Sequence, residues 1–208
     1  MSNEAKEKIQ MDPKYLLKLT MTLLITCAIV AGLLGFVNQL TLPNITAANE
    51  RKTNEALTAV FEDASAPEFS EMDITDDVAA AASSFGATME NLYEAKDGGS
   101  TIGYAVKLTA SGSQGLIEMV IGVDADQTVT GVSIVDNSET SGIGSKVMNN
   151  DPLPSGVGVL DQFKGMSQAN GELKVGSNVD AISGATVSSK GVTKGVNGAL
   201  AAVAAVMG

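Results

Sequence analysis

Histidine and tryptophan are absent from this 208-residue chain, and cysteine occurs once, as Cys27. Without histidine there is no Ser-His or Cys-His nucleophilic site, and no His-ligated zinc or haem. One cysteine excludes an intrachain disulfide and an iron–sulfur cluster held by this chain alone. Redox chemistry would therefore need a cofactor of another kind. Aromatics are scarce, with 3 Tyr and 5 Phe, so Val, Ile, Leu, Met and Ala must build the core. Basic residues number 13 against 24 acidic ones. They divide as +1 over residues 1–18 (four Lys against three acids) and −12 over the remainder (9 basic, 21 acidic). A surface this acidic disfavours nucleic acid and is otherwise simply well solvated.

Charge is also missing from Leu19 to Val37, a run of 19 residues. At about 1.5 Å per residue it spans roughly 28 Å, close to the hydrocarbon core of a bilayer. A buried core helix or a cleavable signal peptide are the alternatives, but no Ala-x-Ala-like site stands right after Val37. We expect a cytoplasmic tail over 1–18, a transmembrane helix over 19–40, a stalk helix and acidic linker over 41–98, and the main domain over 99–208. Lys6, Lys8, Lys14 and Lys18 precede the span, and only Arg51 and Lys52 follow it nearby. That bias places the N-terminus in the cytoplasm and the main domain outside, with a single pass through the cell membrane. Cys27 follows Thr26 inside the span and reads as an ordinary helix residue rather than a lipidation site.

Beyond the span, 46–61 has helical character, with Ala48, Leu57, Val60 and Phe61 near one face. Residues 62–77 hold seven acids and no base and read as a solvated loop; the acids lack the spacing of a calcium loop. After an ambiguous stretch at 83–95, strands are expected at 101–110, 115–125 and 127–137, with a turn at 125–127. A further short strand is possible at 172–175. The chain closes on a helix whose Val192, Val196, Ala199, Val203 and Val206 form one stripe. Gly191, Gly195 and Gly198 within it suggest close packing against the sheet. The fold class is α+β: an N-terminal membrane helix plus a domain with a curved antiparallel sheet packed by helices.

Ahead of that helix stands 180–190, DAISGATVSSK. Ser183, Gly184 and Ala185 make a low-bulk loop, and Thr186, Ser188 and Ser189 place hydroxyls at the helix start. A helix N-terminus offers unpaired N–H groups to a phosphate. Helix capping is the plainer use for such hydroxyls, and the residues alone leave both open.

DAISGATVSS resembles the D-x-x-S/T-G-A-T/S motif of the covalent FMN-binding domain family. A second segment, SETSGIGSKV at 138–147, looks like that family's E-T-P-G-L-G element. Glu139, Thr140, Gly142 and Gly144 match it, while Ser141 and Ile143 replace Pro and Leu. An upstream glycine element is degenerate here, as SGSQG at 111–115. The family occurs in the G subunits of Rnf ferredoxin:NAD+ oxidoreductases and in the C subunits of sodium-translocating NADH:quinone oxidoreductases; the short chain looks more like the former.

The resemblance implies FMN bound covalently as a phosphoester to Thr186. Ser183, Gly184, Ala185, Val187 and Ser188 would surround the attachment, and Glu139, Thr140, Gly142 and Gly144 would border the flavin. It implies that Asp180 serves recognition by a flavin transferase. It also implies membrane partner subunits and a redox role within an ion-translocating complex, coupled to Na+ or H+ transport, rather than independent enzyme action. A quinone-reductase subunit, an extracytoplasmic flavin shuttle, and a non-redox sensory or structural domain are the alternatives. No G-x-G-x-x-G follows a strand, so no dinucleotide site is expected.

Overall fold

The computed structural model describes residues 12–208; most of the expected tail, residues 1–11, lies outside them. The chain divides into an N-terminal unit ending at Ala48 and a folded domain from Asn49 to Gly208. Helix α1 runs from Pro13 to Ala59, 47 residues, so the apolar run and the helical stretch after it are continuous. Its most apolar window has a mean hydropathy of 2.2 and none of that window is buried. Thr20, Thr22 and Thr26 donate to the carbonyls four residues back at 2.8–2.9 Å, so their hydroxyls need no water. Among the described residues this is the one helix long and apolar enough to cross a membrane.

In the folded domain five antiparallel strands form an open sheet in chain order: β1 Glu68–Met72, β2 Ala87–Asp97, β3 Ser100–Ser111, β4 Leu116–Asp124 and β5 Val129–Asn137. The three expected strands are β3, β4 and β5. The turn between the last two is tied by Asp124 Oδ1, which accepts from the N–H groups of Asp126 and Thr128 at 2.9 and 2.8 Å. The acidic segment 62–77 is not a free loop. It contributes β1 as an edge strand paired with β2. Phe69 packs on Phe61 with ring centroids 6.0 Å apart, and Asp97 Oδ2 accepts from the Ser65 N–H. Helix α2, Asp76–Ser83, then leads into β2. The compact domain thus starts well before residue 99, because β1 and β2 complete the sheet.

Each face of the sheet is covered. On one, Ile117, Met119, Ile121 and Val123 of β4 and Val106 and Leu108 of β3 join α2 and the last helix, α4 (Thr186–Met207). On the other, Ala56, Leu57, Val60 and Phe61 at the end of α1 cover Ala95, Ala105, Val120 and Val135. The register pairs Gly122 with Gly131. A Cβ at Gly131 would stand 3.0 Å from Val60 Cα, so this glycine pair lets the helix end reach the sheet backbone. The expected stripe of α4 holds: Val192, Val196, Ala199 and Val203 are fully buried, and Val206, near the helix end, is half-buried against the same core. After β5 the chain passes through α3, Ser145–Met148, and an irregular segment to α4. The strand anticipated at 172–175 is reduced to one parallel bridge, Val175 with Val179. Its neighbour Leu173 spends its backbone on a side chain instead: Asn197 of α4 accepts from its N–H at 3.0 Å and donates to its carbonyl at 2.8 Å.

Candidate functional site

Three segments meet at the start of α4, and one carboxylate joins them. Glu139 Oε2 accepts from the Ser188 hydroxyl at 2.6 Å. Its Oε1 accepts from the backbone N–H groups of Ser113 at 2.7 Å and Gln114 at 3.3 Å, in the tight turn between β3 and β4. The degenerate 111–115 element therefore serves through backbone donors, which any side chain could accompany. Space for the carboxylate comes from Gly112 and Gly144: a Cβ on either would overlap a Glu139 oxygen. Gly142 takes φ of +78° in the loop after Glu139 and donates to Ser145 Oγ at 2.8 Å. The Thr140 carbonyl accepts from the N–H groups of Ile143 and Ser145, both at 3.2 Å. Sequence reasoning grouped Glu139 with the cofactor's borders and missed this role as a latch; the three segments it joins are far apart in the chain.

The helix start itself is set by Gly184, at φ +83°, and by Ala185 as the residue before the first helical turn. Alanine has no side-chain acceptor, so the hydroxyls here do not cap α4. The N–H groups of Thr186, Val187 and Ser188 donate to no protein group among the described residues. The positive end of a 22-residue helix dipole lies there, with Thr186 and Val187 exposed and Ser188 buried. The nearby hydroxyls are unequal. Ser188 is buried and committed to Glu139. Ser189 is buried and donates to the Ala185 carbonyl at 3.1 Å. Thr186 and Ser183 are exposed and make no hydrogen bond among the described residues.

Asp180 lies one turn of loop away and is exposed. Its backbone is clamped by Gln162, which accepts from its N–H at 2.8 Å and donates to its carbonyl at 3.0 Å, leaving the carboxylate free. Val187 and Ile143, 55% and 51% exposed, supply apolar surface beside the hydroxyls and the loop. Thr140 and Gly142 are exposed on that loop, and Gly144 is buried beneath it. The arrangement can take a phosphate at the helix start and a flat apolar group against the loop.

The family model of the FMN-binding domain matches residues 112–201, which include Ser113, Gln114, the Glu139 loop and the start of α4. The G subunit of the Na(+)-translocating ferredoxin:NAD(+) oxidoreductase complex of Acetobacterium woodii is 34% identical over 93% of this chain and 94% of its own. The G subunit of the proton-translocating ferredoxin:NAD(+) oxidoreductase complex of Clostridium ljungdahlii is 28% identical over 94% of both chains. Among solved structures, Shewanella oneidensis NqrC aligns at 23% identity and a TM-score of 0.42, over 66% of each chain. With a relative one-third identical along almost the whole length, the chain belongs to the family of G subunits of ion-translocating oxidoreductase complexes, built on an FMN-binding domain.

Proposed function

We propose that this chain is the membrane-anchored, flavin-carrying electron-transfer subunit of a ferredoxin:NAD+ oxidoreductase complex that couples electron flow to Na+ or H+ translocation, and that Thr186 carries its FMN as a phosphoester. The observation behind the attachment point is the exposed, unbonded Thr186 hydroxyl beside three free backbone donors, while Ser188 and Ser189 are buried and already bonded. Its neighbour Ser183 shares the exposure but precedes the helix, outside the first turn where the dipole acts.

FMN, when bound, supplies one- or two-electron chemistry. The protein's part is to hold it. The N–H groups at the start of α4, those of the exposed Thr186 and Val187 first, would meet its phosphate, and Gly184 keeps the approach open. Glu139 fixes the first turn of α4 against the β3–β4 turn, so the tether has a defined origin. An ester at the phosphate leaves the ring chemistry untouched and prevents loss of the cofactor by diffusion. The apolar window of α1 keeps the domain at the membrane, where its concentration relative to membrane-bound subunits is high. In this reading the N-terminus is cytoplasmic, the span is the only one, and the folded domain is extracytoplasmic. A separate flavin transferase, reading Asp180, loads the cofactor.

The test is Thr186→Val, which keeps the branched shape without the hydroxyl. Native chain run on a denaturing gel should fluoresce under ultraviolet light, and its peptide across 180–190 should gain the mass of FMN less one water. The variant should retain its fold by circular dichroism and lose both signals. A fluorescent band that survives in the variant would refute the assignment of Thr186.

A further inference from the structure

On α4, away from the Glu139 latch, lies an open cleft of about 500 Å³. Its lysines are Lys190 and Lys194 of α4 and Lys174 of the facing segment; Glu172 lines it too and pairs with Lys174 at 3.0 Å, and Phe85 and Leu173 contribute apolar wall. The walls are set in place. Asn197 holds Leu173 by two hydrogen bonds, Gln168 donates to the Asn197 carbonyl at 3.0 Å, and Gly86 (φ +76°) ends the α2 side beneath the Lys194 stem.

The charge pattern here runs against the rest of the molecule. The folded domain has 9 cations and 21 carboxylates. Arg51, Lys52, Lys96, Lys107, Lys164 and Lys174 all pair with an acid. Among the described residues Lys146, Lys190 and Lys194 do not; Lys146 stands apart on α3, whereas Lys190 and Lys194 stand four residues apart on one face of α4, where like charges repel. With carboxylates outnumbering cations more than two to one, leaving this pair uncompensated in a concave, partly apolar site indicates a ligand that brings its own negative charge.

We propose that the Lys174–Lys190–Lys194 cleft docks an acidic, apolar-flanked segment of another member of the complex; the proposal rests on the reading of the chain as a complex subunit. The carboxylates of that segment would meet Lys190 and Lys194, and its apolar residues would lie on Phe85 and Leu173. Charge complementarity of this kind fixes orientation and suppresses wrong partners.

Lysine acetylation with a membrane-impermeant reagent, read by peptide mass, tests it on the full-length chain. In the detergent-solubilised complex Lys190 and Lys194 should react about tenfold more slowly than in the isolated subunit, with Lys96 unchanged. A zero-length carbodiimide should join Lys190 or Lys194 to an Asp or Glu of another subunit. The double variant Lys190→Glu, Lys194→Glu should fold but leave the complex at moderate salt, where Lys96→Glu stays. Equal reactivity in complex and isolated chain overturns the docking proposal alone. Protection already present in the isolated chain points to a small anion and overturns it too. Failure of the wild-type chain to co-purify with membrane subunits overturns the underlying reading instead.

Discussion

A hydroxyl that is to be esterified must be accessible and unbonded, and the structure sorts Thr186, Ser188 and Ser189 by what surrounds them rather than by residue type. Glu139 does much of that sorting, because it engages Ser188 and ties the first turn of α4 to Ser113 and Gln114. Removing it leaves a buried hydroxyl and two backbone donors without their charged acceptor. Glu139→Ala should therefore cost about 2–3 kcal/mol, or roughly 5–10 °C in the unfolding midpoint for a domain of this size. On the proposed attachment, it should also lower flavin loading at an intact Thr186. Glu139→Gln, which keeps an acceptor at one position, should fall between. Thermal unfolding and intact mass measure the two effects; an alanine variant as stable as the native chain would remove the latch from the account. A second residue-scale expectation concerns Glu94. The Thr101 hydroxyl at 2.6 Å, and then the Lys96 ammonium, hold its carboxyl below the ordinary 4.5. A depressed carboxylate stabilises the fold above its unfolded value and loses that contribution as pH falls through its folded one. Native chain and Glu94→Gln should differ in stability at pH 7 and converge as pH falls through the depressed folded value; a gap that persists in strong acid would contradict the pairing.

Helix α4 shows how packing overrides propensity. Glycine to alanine inside a helix ordinarily gains about 1 kcal/mol, yet three glycines face neighbours here. A Cβ at Gly191 would lie 2.8 Å from the Ser111 carbonyl oxygen, which is backbone and cannot swing aside. At Gly195 the obstacle is Met119 Sδ at 2.6 Å, the end of a flexible side chain. Gly191→Ala should destabilise by about 1–3 kcal/mol, while Gly195→Ala should be close to neutral; the reverse order in urea titrations would overturn this packing. Across the sheet, Lys107 bridges strands through Glu118 at 2.7 Å and Glu90 at 3.0 Å. Burial acts to lower its pKa, but the two carboxylates outweigh it and hold the ammonium above the ordinary 10.5. Its contribution is present at neutral pH and is lost as pH rises above 10.5 through the folded value. The same elements mark what the sequence made legible. β3 to β5 alternate β-branched and polar residues, and the stripe of α4 has a plain helical period. β1 and β2 escaped notice because their buried positions are few and small, Ala87, Leu92 and Ala95, amid Glu, Asn and Lys. At the site, the residues before the apolar helix left capping and phosphate binding both open, and only the resemblance singled out Thr186. The Glu139 latch and the Asn197 clamp were not, because each joins segments brought together only by the completed sheet and helix.

At the scale of the whole chain, apolar surface and charge are segregated. Among the described residues 22 large apolar side chains are exposed; 17 of them lie between Tyr15 and Ile45, and the folded domain retains only Leu116, Ile143, Val157, Val187 and Met207. A continuous apolar helix surface of that kind is what a bilayer covers and water does not. From Asn49 onward the net charge is −12, from 9 cations and 21 carboxylates, which favours solubility. The end of α1 belongs to both requirements, since Ala56, Leu57, Val60 and Phe61 close one face of the sheet. Two truncations separate the roles. A chain beginning at Asn49 keeps that cover and loses the apolar window, so it should remain in the supernatant after alkaline carbonate treatment and unfold in one cooperative transition. The full-length chain should pellet with the membranes. A chain beginning at Glu62 loses the cover and exposes Ala95, Ala105, Val120 and Val135, so it should aggregate or melt at least several degrees lower. If the chain from Asn49 pelleted with membranes, the folded domain itself would hold a membrane-binding surface and the division of labour would fail. If the chain from Glu62 proved as stable as the one from Asn49, the end of α1 would not be part of the core.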